Sequence, residues 1–111
     1  MFGLKEKTIT IIINEISRFK EIREAVVFGS RAKGNYKKGS DIDIAIKGDE
    51  ITQDSVVKLS ARLNQEAPIP YLIDVIHYEG ITSLELVDHI DRVGKILYSA
   101  KSRIPDILSD E

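Results

Sequence analysis

Residues 26–46 read VVFGSRAKGNYKKGSDIDIAI, and this stretch decides how the chain is understood. A β-branched run ends at Gly29-Ser30, ten residues rich in Gly, Lys and Arg follow, and Asp41-Ile42-Asp43 opens a second apolar run. Side chains alternate along a strand, so Asp41 and Asp43 share one face while Ile42, Ile44 and Ile46 take the other. Two carboxylates side by side on a stiff strand repel each other unless a cation lies between them. The Gly-Ser turn ahead of them offers backbone N–H groups and a hydroxyl to an anion. Metal on one side and phosphate on the other is the chemistry this pairing suggests.

The chain as a whole sets wide limits. With 111 residues it has room for one core and not for two. A formal net charge of −2 gives no global basic field, so composition carries no strong nucleic-acid signal. The absence of cysteine excludes a disulfide framework, thiol catalysis and Cys-ligated zinc. No apolar run reaches membrane-spanning length and no charged-then-apolar leader opens the chain, so no membrane partner is expected. The expected compartment is reducing and cytoplasmic.

Outward from the central stretch, Ile9, Ile12, Ile13, Ile16 and Phe19 follow helical spacing within residues 4–22, although the run Thr10 to Ile13 is β-branched. Ala25 to Phe28 reads as a short buried strand. Residues 30–40 read as a loop, with room for a helical turn at Ser30. Asp41 to Lys47 is the second strand. Thr52 to Ala67 reads as a helix closed by Pro68 and Pro70. Tyr71 to His77 is a third strand, apolar on both sides of Asp74.

A last helix is expected between a Thr82/Glu85 capping box and a terminal Gly94, burying Leu84, Val87 and Ile90. Lys95 to Tyr98 completes the strands. Helices alternating with strands imply an α/β fold, its helices on one face of a small sheet and the acids on the free face. The domain is expected to span residues 1–99, with a polar tail at 100–111.

Asp-x-Asp on an exposed loop is usually only a solvated pair, but this pair lies inside Ile-Asp-Ile-Ala-Ile. Asp74 stands in the same setting, between Ile73 and Val75. A buried carboxylate without a partner costs several kcal/mol, so each of the three needs a metal, a cation or an open cleft. Oxygen-only ligands, without Cys or a His cluster, suggest Mg²⁺ or Mn²⁺. Gly29 and Ser30 then serve as a cradle for phosphates, and Arg31 is close enough in sequence to reach one. Lys33, Lys37 and Lys38 read as rim charge. His77 and His89 are isolated and read as surface or satisfied side chains; the four tyrosines read as packing or rim residues.

Gly29-Ser30, the ten-residue spacer, Asp41-Ile42-Asp43 and the later Asp74 resemble the signature of the DNA polymerase β-like nucleotidyltransferase superfamily. The form GSRAKG…SDIDIAI is most similar to its minimal nucleotidyltransferases, the MNT proteins. The resemblance covers residues 22–98. It implies a small mixed β-sheet of the polymerase β palm type. It also implies transfer of AMP from ATP to a hydroxyl, with two Mg²⁺ ions on Asp41 and Asp43. Asp74 would complete the catalytic metal's shell and orient or deprotonate the acceptor, while Gly29 and Ser30 would position the β- and γ-phosphates.

Larger relatives carry a second, acceptor-binding domain for which no segment is visible here, so the acceptor is expected to be a partner. MNT proteins of this type pair with a helical HEPN RNase toxin, and characterised antitoxins adenylylate a tyrosine of it. Two other readings compete. One is a binding module that neutralises its partner by contact; the other is a small-molecule nucleotidyltransferase, of the antibiotic-modifying kind, completed by homodimerisation.

Overall fold

The computed structural model describes residues 1–100. The alternation in Ile42–Lys47 makes this segment, β2, an inner strand of a four-stranded sheet. Its partners are β1 (Glu24–Phe28), β3 (Ile73–His77) and β4 (Lys95–Ser99), in the order β3-β2-β1-β4. β1 is antiparallel to both β2 and β4, whereas β2 and β3 are parallel, so the sheet is mixed. A parallel pair needs a crossover, which α3 (Gln53–Ala61) supplies. β2 begins at Ile42, one residue later than the sequence suggested, and Asp41 stands just outside the ladder.

Each face of the sheet has its own core. Ile42, Ile44 and Ile46 join Ala25, Val27, Ile73 and Val75 on one face. Against them pack Ile12 and Ile16 of α1 (Glu6–Ser17), together with Leu59 and Leu63. The spacing of Thr8, Ile12 and Ile16 aligns three buried side chains on α1, and this burial outweighs the β preference of its branched residues. The opposite face carries Val26, Phe28 and Ala45, with Ile90 of α4 (Leu84–Val93) packed on them. The helices thus lie mainly on one face, but the face expected to be free of them is partly covered by α4.

Three local readings are corrected. The helix expected through Ala67 passes instead into a π-helical turn at Arg62–Glu66. The α4 cap is Ser83, whose hydroxyl accepts the Leu86 N–H at 3.2 Å, not Thr82. Leu84 is 84% exposed, and the stripe facing the sheet is Leu86 and Ile90. Gly94 ends α4 as expected, at φ −64°. Its missing side chain leaves room for Val26. The tail expected at 100–111 lies, beyond Ala100, outside the described residues.

The π-helical turn has a consequence at the sheet edge. It aims Asn64 at β3, where its amide oxygen accepts the Ile73 N–H and its amide nitrogen donates to the Ile73 carbonyl, both at 2.8 Å. This paired contact stands in for a fifth strand at the residue preceding Asp74. Asn64→Ala is therefore expected to lower stability by about 1–3 kcal/mol in urea unfolding, with the transition slope unchanged. An Asn64→Ala chain as stable as the wild type would show that solvent replaces the pairing fully.

Candidate active site

β1 leaves its ladder at Phe28 in extended geometry and turns at once into the short helix α2 (Gly29–Lys33). The turn needs φ +73° at Gly29, a region that side chains rarely adopt. It also needs empty space there, because a Cβ on Gly29 would overlap Oδ2 of Asp43. The Gly-Ser turn and the second acid of Asp-x-Asp are therefore in direct apposition. α2 closes at Gly34, in the left-handed region at φ +86°, whose N–H returns to Ser30 O at 2.9 Å.

The ladder fixes the rest. Asp43 is opposite Phe28 on β1 and opposite Asp74 on β3, and Gly29, just past the end of β1, lies against it, so Gly29, Asp43 and Asp74 form a row. Asp43 is half-buried, whereas Asp41 and Asp74 are exposed. Burial, then Asp74, then Asp41 push the Asp43 carboxyl above its ordinary pKa, and His89 opposes them. Ser40 Oγ, beside Asp41 in sequence, is buried without a hydrogen-bond partner.

Mutually repelling carboxylates are an all-oxygen donor set that fits a hard divalent cation. Among the described residues no three acidic, His or Cys side chains are already gathered to grip an ion, so an ion would have to draw Asp41, Asp43 and Asp74 together.

Arg31 does not face this row. Its Nη1 donates to Phe2 O at 2.8 Å, and its Nε and Nη2 both donate to Ser40 O, at 3.1 and 2.9 Å. The residue is 3% exposed, and its guanidinium is engaged with these carbonyls rather than turned toward the acids. Lys33, Lys37 and Lys38 are exposed, in keeping with rim charge. His77 is satisfied, its Nε2 lying 3.1 Å from Glu79 Oε1 and 3.3 Å from Gly48 O.

The residue that sequence reasoning missed is His89. Its Nε2 accepts the Gly29 N–H at 3.3 Å, and its ring meets Phe28 edge-on with centroids 6.1 Å apart. An accepting Nε2 leaves the proton of the neutral ring on Nδ1. The available signal was the true stripe of α4: His89 is three residues beyond Leu86 and so shares its side of the helix.

A family model described as polymerase beta, nucleotidyltransferase, matches residues 10–103. The chain belongs to this nucleotidyltransferase family. The domain is also 39% identical over 61 residues to a Methanocaldococcus jannaschii protein to which protein adenylyltransferase activity is ascribed by name. That match spans 53% of this chain and 60% of the relative's length.

Two solved structures resemble the domain in fold. One is a toxin–antitoxin complex with AMP-PNP, with a TM-score of 0.67, 21% identity, and coverage of 90% of this chain and 77% of that one. The other is a tri-AMPylated Shewanella oneidensis HEPN toxin bound to its MNT antitoxin, with a TM-score of 0.66, 18% identity, and coverage of 90% and 76%. The expected nucleotidyltransferase fold is thus the observed one. No helix among the described residues is long and apolar enough to cross a membrane.

The raised pKa of Asp43 fixes the sign of a stability effect. Such a group contributes stability that is full below its unfolded-state pKa and lost as pH rises through the higher folded value. At neutral pH in cation-free buffer, Asp43→Asn is expected to raise the thermal midpoint on the order of a few degrees. The gain should fade in acid, below the ordinary carboxylate range. Mg²⁺ should raise the wild-type midpoint and leave that of the variant in place. A variant no more stable than wild type at neutral pH would show that the repulsion is relieved some other way.

Proposed function

We propose that this chain moves AMP from ATP onto a hydroxyl of a protein partner, a tyrosine of a HEPN-type toxin, and acts in the cytoplasm as that toxin's antitoxin. The row of Gly29, Asp43 and Asp74 carries this reading, because it sets the Gly-Ser turn beside two acids on adjacent strands. Membership of the nucleotidyltransferase family supports the reaction class. The activity ascribed to the M. jannaschii relative supports a protein acceptor, and the likeness to chains of toxin–antitoxin complexes supports a toxin as that acceptor.

Asp41, Asp43 and Asp74 would hold the divalent cations, Mg²⁺ above all. A bound ion supplies positive charge to the phosphoryl oxygens around the reacting phosphorus. Gly29 and Ser30 would bind the non-transferred phosphates, His89 Nε2 yielding the Gly29 N–H to them, and so fix the direction of the leaving group. Asp74, exposed on the edge strand, orients the acceptor hydroxyl and takes its proton as the oxygen bonds to the α-phosphorus. The bond from that phosphorus to the bridging oxygen breaks, and pyrophosphate departs on the side of the turn.

Purification with the protein encoded beside it, then incubation with ATP and Mg²⁺, should add one or more AMP units to that partner by intact mass. Asp43→Ala and Asp74→Ala should each abolish the addition while the complex still forms. A partner neutralised without any mass increase would overturn the catalytic reading in favour of inhibition by contact.

A further inference from the structure

Arg31 is an unusual residue to find inside a small domain. It is 3% exposed, and every acceptor recorded for it is a backbone carbonyl rather than a carboxylate. A buried cation is costly unless its donors and its charge are both accommodated. Here two carbonyls take the donors, and the rings of Tyr36 and Tyr71 lie on the guanidinium, each centroid 4.8 Å from Cζ. Stacking of this kind stabilises a desolvated guanidinium.

The partners have something in common. Phe2 is in the N-terminal turn, Tyr36 and Ser40 are in the loop between α2 and β2, and Tyr71 is just ahead of β3. None of these segments is held by a sheet or a helix of its own. The Ser40 carbonyl belongs to the peptide that joins Ser40 to Asp41, so the fork formed by Nε and Nη2 grips the backbone of Asp41 itself. Tyr71 precedes Asp74 by three residues, and Arg31 directly follows Ser30.

From this geometry we infer that Arg31 is a positioning residue, which fixes Asp41 and the start of β3 relative to the Gly29-Ser30 turn. It does this by gripping the Ser40 carbonyl with a guanidinium on which the rings of Tyr36 and Tyr71 lie. This inference rests on the proposed function for its catalytic consequence, though not for the clamp. Lysine cannot replace the clamp, because an ammonium has no planar fork to share one carbonyl and stacks poorly between two rings.

The test uses Arg31→Lys, with Tyr71→Leu as a second variant that removes one stacking ring and keeps the guanidinium. Backbone amide exchange of the metal-free chain is measured first. Both variants should exchange faster than wild type at Ile42, whose N–H donates to the Leu72 carbonyl at 2.9 Å, Arg31→Lys the more so, with the β1–β2 ladder still protected. AMP transfer to the partner is measured next. A misplaced Asp41 should lower kcat by about 10–100-fold and leave KM for ATP in place.

A raised KM for ATP with unchanged exchange at Ile42 would make Arg31 a phosphate ligand and overturn the inference. Wild-type exchange and kinetics in both variants would overturn it as well. Should the wild-type chain transfer nothing, the proposed function fails, and the exchange measurement alone still decides whether Arg31 clamps Asp41.

Discussion

The structure depends on a carboxylate held where a carboxylate is least comfortable. Asp43 is on an inner strand, in register with Asp74 on one side and backed by Gly29 on the other. It cannot swing away without leaving the β2 ladder, which is secured by the face beneath it. There Ile42, Ile44 and Ile46 are completely buried, each contributing about 1.5–3 kcal/mol of apolar burial. One strand therefore does two opposed things. Its isoleucines pull the sheet together, and that pull holds Asp43 against like charge that it would otherwise escape.

That division explains why the glycine is needed at position 29 and not merely tolerated. A turn of ordinary residues after β1 would press a Cβ into Asp43 and force either the helix α2 or the carboxylate to move. With glycine, the turn and the acid lie against each other with no side chain of residue 29 between them. Two kinds of group that attract opposite parts of a nucleotide–metal complex are thus neighbours before any ligand arrives, which is the preorganisation that phosphoryl transfer depends on.

Much of this was legible because it depends on alternation and on turn chemistry, both local. Asp41, Asp43 and Asp74 could be picked out because a strand of branched residues makes an acid conspicuous. What sequence could not provide was proximity across elements. Arg31 looked like a phosphate ligand because it follows Ser30, yet its side chain turns toward carbonyls nine and twenty-nine residues away. His89 looked isolated because the stripe of α4 was read from Leu84; shifted to Leu86, the same helix brings it to Gly29. The π-helical turn at Arg62–Glu66 was equally invisible, since its reason is the backbone of Ile73 and not any residue nearby in the chain.

The two ends of the row differ in a way that bears on the acceptor. At the Gly29 end, α4 lies over the face through Ile90, and the His89 ring closes on both the Gly29 amide and Phe28. At the other end Asp74 is exposed, on a strand that occupies the edge of the sheet among the described residues. Under the proposed function, a phosphate at the turn would take the Gly29 amide from His89 beneath α4, while a nucleophile near Asp74 would be met from outside. An in-line displacement places the leaving group and the nucleophile on opposite sides of the phosphorus. The proposed reaction would meet that demand with the leaving group at the covered end and the nucleophile at the open one. An open end sets no limit on what the hydroxyl is attached to, so the size of a protein acceptor is no obstacle there.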